Sequence, residues 1–157
     1  MRTPLAALIL SLLATPSLAD EVPPPAAQIP MMTISAEQPW DVESALKTYW
    51  KDHYLAGGEH GFGLDKVRAG RFDLNGDGKA ELVLMVDDPA WEAEHGRPFL
   101  VANWTRKGWN AIGWSWGDDE TLFATTEIIG GWRTIDTGTQ LLRWDGRVYQ
   151  RVDKPAN

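Results

Sequence analysis

The sequence predicts an α+β domain: one N-terminal amphipathic helix packed on a mainly antiparallel sheet of about seven or eight short strands. Two observations lead to this prediction. Apolar side chains recur at helical spacing over residues 40–56. From Lys66 onward, short runs of aromatic and β-branched residues alternate with Gly, Asp, Asn and Pro. A chain of 157 residues with 43% hydrophobic content suits one such domain.

The helix is expected to begin at Asp41, which can cap its first turn, and to end at Gly57-Gly58. Its apolar face is formed by Val42, Leu46, Tyr49, Trp50 and Tyr54.

The strands are expected to be short and separated by turns. Asp145-Gly146 predicts a tight hairpin, because a two-residue primed turn requires positive φ. The predicted strands are Val67–Phe72, Leu82–Val86, Phe99–Trp104, Trp109–Trp116, Leu122–Ile129, Trp132–Ile135, Gln140–Trp144 and Val148–Val152.

Residues 1–19 have the pattern of a secretory signal peptide. Arg2 gives a positive start, Leu5–Ala14 is apolar, and small residues at Ser17 and Ala19 precede the expected cleavage site. The apolar run is shorter than the ~20 residues that span a bilayer. We therefore expect a mature chain that starts at Asp20, is periplasmic or secreted, and has no membrane association.

The predicted mature chain is acidic, with 14 basic against 22 acidic side chains. A net charge of −8 argues against nucleic acid as a partner and favours a basic exported protein. The absence of cysteine excludes disulfides and thiolate metal sites and suggests a bacterial exported protein. A monomer is expected.

The domain is expected to occupy residues 35–154. Residues 20–34 contain four prolines and little apolar bulk, which predicts an extended linker. Within it, Met31–Ile34 could add a short edge strand or dock on the domain.

One motif carries chemistry: Phe72–Leu84 reads FDLNGDGKAELVL. Oxygen-bearing side chains at alternate positions of a curled loop can converge on one cation, and calcium takes six to eight oxygens. The expected ligands are the side chains of Asp73, Asn75, Asp77 and Glu81 and the carbonyl of Lys79, with Gly76 and Gly78 shaping the loop.

The start of this loop resembles an EF-hand, but Leu84 stands where that motif has a bidentate Glu. The flanks of the loop are strand-like, which makes it more similar to the integrin-type FG-GAP and VCBS loops. This resemblance covers Gly70–Val86 and implies calcium between two antiparallel strands. The chain has room for one such copy, so a propeller is not expected. The missing twelfth ligand implies weak binding or help from Asp87, Asp88, Asp118 or Asp119.

Tryptophans are the second unusual feature, with nine in the chain. Trp114 and Trp116 are two apart and share one face of a predicted strand. They could stack on sugar rings, or they could pack beneath the helix.

Three functions follow from these features. The first is a non-enzymatic binding or accessory protein in which calcium is structural. The second is a carbohydrate- or peptidoglycan-binding module that uses Trp114 and Trp116. The third is a small hydrolase that uses paired carboxylates such as those of Asp118, Asp119 and Glu120. No serine lies in a nucleophile-elbow motif, and no histidine pair has zinc-enzyme spacing.

Overall fold

A computed structural model describes residues 24–34 and 39–155, and the predicted signal peptide lies outside these ranges. The described residues form ten strands in two antiparallel sheets and one α-helix. Their bounds are β1 Ala27–Gln28, β2 Met32–Thr33, α1 Pro39–Tyr49, β3 Val67–Phe72, β4 Glu81–Val86, β5 Arg97–Thr105, β6 Gly108–Gly117, β7 Phe123–Ile129, β8 Trp132–Asp136, β9 Gln140–Trp144 and β10 Tyr149–Asp153, with short 3-10 turns at Leu64–Lys66 and Pro89–Trp91.

The α+β prediction with one sheet is wrong, because the fold is mostly β and its strands divide into two sheets. Sheet I has the order β1-β7-β8-β9-β10, and sheet II has the order β2-β3-β4-β5-β6. One helix can cover only one face of a sheet. The apolar opposite face of sheet II is covered by sheet I, whose strands all lie C-terminal to β6 except for β1.

The described residues form two hydrophobic cores, one on each face of sheet II. The inner core lies between the sheets and joins Val83 and Phe99 of sheet II to Ile135 and Leu142 of sheet I. The outer core lies between α1 and sheet II. Strand β4 is buried at all six positions because its side chains enter the two cores alternately.

The helix is shorter than predicted and ends at Tyr49. Turns then continue the apolar pattern as far as Tyr54, whose backbone N–H donates to the Trp50 carbonyl. Trp50 and Tyr54 both pack in the outer core with Phe62. The apolar residues therefore keep helical spacing over residues 40–56, although the helix ends at Tyr49.

Residues 24–34, part of the predicted linker, add a strand to each sheet. Strand β1 pairs with β7 of sheet I, and β2 pairs with β3 of sheet II. Between them, Ile29 and Met31 are buried in the inner core. The segment therefore crosses from one sheet to the other as part of the folded domain.

The C-terminal hairpin lies where the sequence predicts it, but the predicted two-residue turn is wrong. Strands β9 and β10 are antiparallel and Trp144 pairs with Tyr149, so the four residues 145–148 form the turn. Gly146 has φ of 100°, whereas Asp145 lacks the positive φ that a type I′ or II′ turn would require there. Among the described residues, no helix has the length and apolar character to cross a membrane.

Candidate functional site

The predicted calcium loop joins two adjacent strands of sheet II. Strands β3 and β4 form a regular antiparallel ladder in which Phe72 pairs with Glu81, and residues 73–80 close the turn between them. Strands flank the loop, as the sequence predicted. Its position at the end of a central ladder gives the loop a rigid base.

Backbone N–H groups curl this loop around its own side chains. The Asp73 carboxylate accepts from the N–H groups of Gly76, at 2.7 Å, and Gly78, at 2.9 Å. Asn75 Oδ1 accepts from the Asp77 N–H, and Asp77 Oδ1 accepts from the Lys79 N–H. These bonds fold the backbone of the loop back onto alternate side chains.

Two glycines make the curl possible. Gly76 has φ of 72° and Gly78 has φ of 80°, values in the left-handed region that L side chains rarely adopt. No atom lies within contact distance of a Cβ added at either position. The need for glycine is therefore conformational rather than steric.

Glu81 differs from the other acids of the loop because it is buried, with 4% of its surface exposed. Its carboxylate accepts from the Leu74 N–H at 2.7 Å and from the Asn75 amide at 3.3 Å. Burial, together with the negative charges of Asp77 and Asp73, raises the pKa of Glu81 from 4.5 to about 7. The loop therefore holds a carboxylate whose charge is poorly compensated.

The loop is also tied to the opposite sheet. Leu74 is fully buried in the inner core, and its carbonyl accepts from the Arg133 N–H at 2.8 Å. The Arg133 carbonyl in turn accepts from the Tyr149 hydroxyl at 2.8 Å. A conformational change in the loop would therefore be transmitted through these hydrogen bonds to strands β8 and β10.

The described residues contain no cluster of three or more His, Cys, Asp or Glu side chains arranged to hold a metal ion. The predicted ligand set includes three carboxylates, those of Asp73, Asp77 and Glu81, and they do not form such a group in this structure. Asn75 would add an amide oxygen and Lys79 a carbonyl. Hard oxygen donors of these kinds fit calcium chemically. The loop thus offers the right atom types, and its closure around an ion remains a prediction.

The four additional acids suggested by the sequence lie at the wrong end of sheet II. Asp87 and Asp88 follow the far end of β4, about 20 Å along the strand from Glu81 at ~3.3 Å per residue. Asp118 and Asp119 follow β6, whose Gly117 pairs with Arg97 at that same far end. They cannot complete the coordination of this loop.

Two of these distant acids already have cationic partners. Asp87 lies 2.5 Å from the Arg97 guanidinium, and Asp119 pairs with Arg68. Asp88 accepts from the Ala90 N–H and caps a 3-10 turn. Their contacts are those of structural side chains.

Trp114 and Trp116 lie on the helix-covered face of sheet II and are both half-buried. The guanidinium carbon of Arg151 lies 4.3 Å from the Trp114 ring centroid, and Tyr49 lies 6.1 Å from it. Arg151 covers a face of Trp114 that a sugar ring would need. This arrangement favours a packing role for the pair.

The sequence analysis did not single out Trp104, which lies near the end of the loop and is the most exposed of the tryptophans whose side chains the structure describes. Trp104 has 56% of its surface exposed and pairs with Trp109 across the β5–β6 hairpin. The turn at Lys107-Gly108 could have revealed this pairing, because it fixes which residues of the two strands face each other.

Comparisons with protein-family models, with curated proteins and with solved structures give no match for this chain.

Proposed function

We propose that this protein is an exported, non-enzymatic binding domain in which calcium stabilises the loop Asp73–Glu81. The side chains of Asp73, Asn75, Asp77 and Glu81 would hold the ion together with the Lys79 carbonyl. The role of the ion is structural: it supplies positive charge and fixes the loop.

The observation that carries the proposal is the buried carboxylate of Glu81 beside two other acids. Among the described residues, Asp73, Asp77 and Glu81 form no ion pair with a lysine, arginine or histidine. Burying a carboxylate without a compensating cation is costly. A divalent ion would remove the repulsion among the three acids and favour the ionised form of Glu81.

The hydrogen bonds of the loop support the same conclusion. Each oxygen that accepts one backbone N–H retains a lone pair for a metal ion. The bonds from Gly76 and Gly78 to Asp73 hold the loop in a curled conformation before any ion arrives. Less conformational entropy is then lost on binding.

A structural role follows from the contacts of Leu74. This residue donates to Glu81 and accepts from Arg133, so the loop connects sheet II to sheet I. An ion that binds the folded loop and not the unfolded chain stabilises the whole sandwich. The acidic character of the chain supports a basic partner protein, which its field would attract.

The test is thermal unfolding of residues 20–157 in EDTA and in calcium, for the wild type, Asp77→Ala and Asp52→Ala. Asp52 is an exposed acid in the turns after α1 and serves as the control. At 100 times the Kd, calcium adds about 2.7 kcal/mol, a rise in Tm of roughly 5–10 °C.

We expect this rise in the wild type and in Asp52→Ala, and its loss in Asp77→Ala. Extracellular calcium modules bind with Kd of ~10⁻⁴–10⁻³ M, so the titration extends to tens of millimolar. An unchanged wild-type Tm over that range refutes calcium binding and leaves the loop as a hairpin turn.

A further inference from the structure

A groove lies on the helix side of sheet II, beside the end of the loop. It has a volume of about 380 Å³ and is lined by Asp41, Arg71, Lys79, Ala80, Trp104 and Trp109. Three elements meet there: the start of α1, the β3–β4 loop and the β5–β6 hairpin.

The aromatic part of the groove is built from two tryptophans. Their ring centroids lie 5.3 Å apart with an angle of 76° between the planes, so Trp109 supports Trp104 edge to face. Trp109 is buried in the outer core, whereas Trp104 is exposed. The result is a flat apolar ring held in place at the surface, where a ligand could stack on it.

A further observation sets Trp109 apart from an ordinary core residue. Its indole N–H is buried and has no hydrogen-bond partner among the described residues. Buried polar groups normally have a partner. Because this N–H is buried, a ligand in the groove does not reach it, and the exposed Trp104 ring is the part of the pair that a ligand can contact.

The polar part of the groove is cationic. Arg71 lies 3.1 Å from the Asp41 carboxylate and 5.8 Å from the Trp109 ring centroid, which fixes its position. Lys79 forms no ion pair among the described residues. Two cations face one carboxylate, so this groove has a positive balance on a chain whose net charge is −7.

We propose that this groove binds a saccharide that carries a carboxylate. The Trp104 ring would stack on the C–H face of a pyranose, since the ring face is the negative part of its quadrupole. Arg71 and Lys79 would pair with the sugar carboxylate, and Asp41 would accept from hydroxyls.

Charge and shape favour this class of ligand over others. A nucleic acid carries a charge on every nucleotide and would be repelled by the acidic remainder of the surface. A wholly apolar ligand would leave Lys79 without a partner, because the Asp41 carboxylate already pairs with Arg71. An acidic oligosaccharide combines stacking faces with widely spaced carboxylates, which matches one exposed ring beside two cations.

The test is a calorimetric titration with a hyaluronan tetrasaccharide, in which uronic acids alternate with N-acetylglucosamine. The uncharged comparator is chitotetraose in its fully N-acetylated form, which has the same length. Both are measured in calcium-containing buffer. Thermal unfolding tests the calcium site, so failure of one proposal can be distinguished from failure of the other.

Four variants locate the site. Trp104→Ala and Lys79→Met alter the groove, whereas Phe123→Ala and Lys51→Met are controls that remove an exposed aromatic ring and an exposed ammonium elsewhere. We expect the hyaluronan fragment to bind at least tenfold more tightly than chitotetraose. We also expect at least tenfold weaker binding in both groove variants and no change in either control.

Absence of binding to the hyaluronan fragment overturns the proposal. Equal affinity for the two oligosaccharides, or unchanged affinity in Lys79→Met, overturns the assignment of an acidic sugar. Unchanged affinity in Trp104→Ala overturns the location. Circular dichroism confirms that each variant is folded, which is expected because Trp104 and Lys79 are both exposed.

Discussion

At the scale of single residues, Glu81 and Arg133 are charged side chains that the fold buries. The sequence alone does not distinguish them from exposed charged residues. Glu81 was predicted as a ligand from its spacing, but its burial depends on the sandwich around it. Arg133 lies in β8, whose sequence predicts a strand and nothing more. Its side chain is nevertheless buried and makes hydrogen bonds to three backbone carbonyls, those of Pro25, Ala124 and Thr125.

The raised pKa of Glu81 predicts how stability changes with pH when calcium is absent. The folded protein retains a proton on Glu81 up to about pH 7, whereas the unfolded chain loses it near 4.5. The stability from this group is complete below pH 4.5 and is lost as pH rises through 7.

In EDTA, the wild-type free energy of unfolding should therefore fall between pH 5 and 8 relative to that of Glu81→Gln, which has no proton to lose. Urea titrations at each pH measure both proteins. Parallel pH profiles of the two proteins would contradict the assignment of the shift to Glu81. In calcium the fall should be smaller, because the ion favours the ionised carboxylate.

Arg133 predicts a large loss of stability on truncation. Arg133→Ala removes the donors of three carbonyls and the guanidinium over the Phe72 ring, 5.2 Å from its centroid. We expect a cost of about 3–5 kcal/mol in urea unfolding, typical of a broken buried polar network. Arg106→Ala, at an exposed turn, should cost less than about 0.5 kcal/mol. Similar losses in the two variants would show that the buried contacts are not important.

At the scale of elements, eight of the ten described strands were predicted, but β1, which lies in the predicted linker, and the grouping into two sheets were not. The observed β3 and β9 have the predicted bounds, and the remaining predicted strands differ by one or two residues at their ends. Alternation and turn residues are local properties, so they appear in the sequence. Pairing between β1 and β7, or the choice of a partner sheet, depends on contacts between distant residues.

The N-terminal segment that includes β1 and β2 predicts unequal losses of stability at two nearby positions. Ile29 is fully buried between the sheets, whereas Met32 has 65% of its surface exposed. Ile29→Ala should cost roughly 2–4 kcal/mol through lost burial and a residual cavity. Met32→Ala should cost less than about 0.5 kcal/mol. Equilibrium unfolding compares them, and equal costs would mean that the segment behaves as a linker in solution.

At the scale of the whole molecule, the three-layer arrangement explains why the predicted calcium site and the groove both lie at the β3–β4 loop. The helix covers one face of sheet II, and sheet I covers the other. Residues at or next to the β3–β4 loop contact both cores. The loop motif was visible in the sequence because its ligands are consecutive. The groove was not, because Asp41, Lys79 and Trp104 are far apart in the chain and meet only through the topology.

The crossing of residues 24–34 between the sheets has a kinetic consequence. Ala27 pairs with Ala124, so the first strand of the described chain must wait for one formed almost a hundred residues later. At synthesis rates of about 5–20 residues per second, roughly 5–20 s separate the appearance of these two partners. Pairing over such separations also slows folding itself. Strand β1 therefore lacks its partner in sheet I until most of the chain has been synthesised, whereas the strands of sheet II all precede β7.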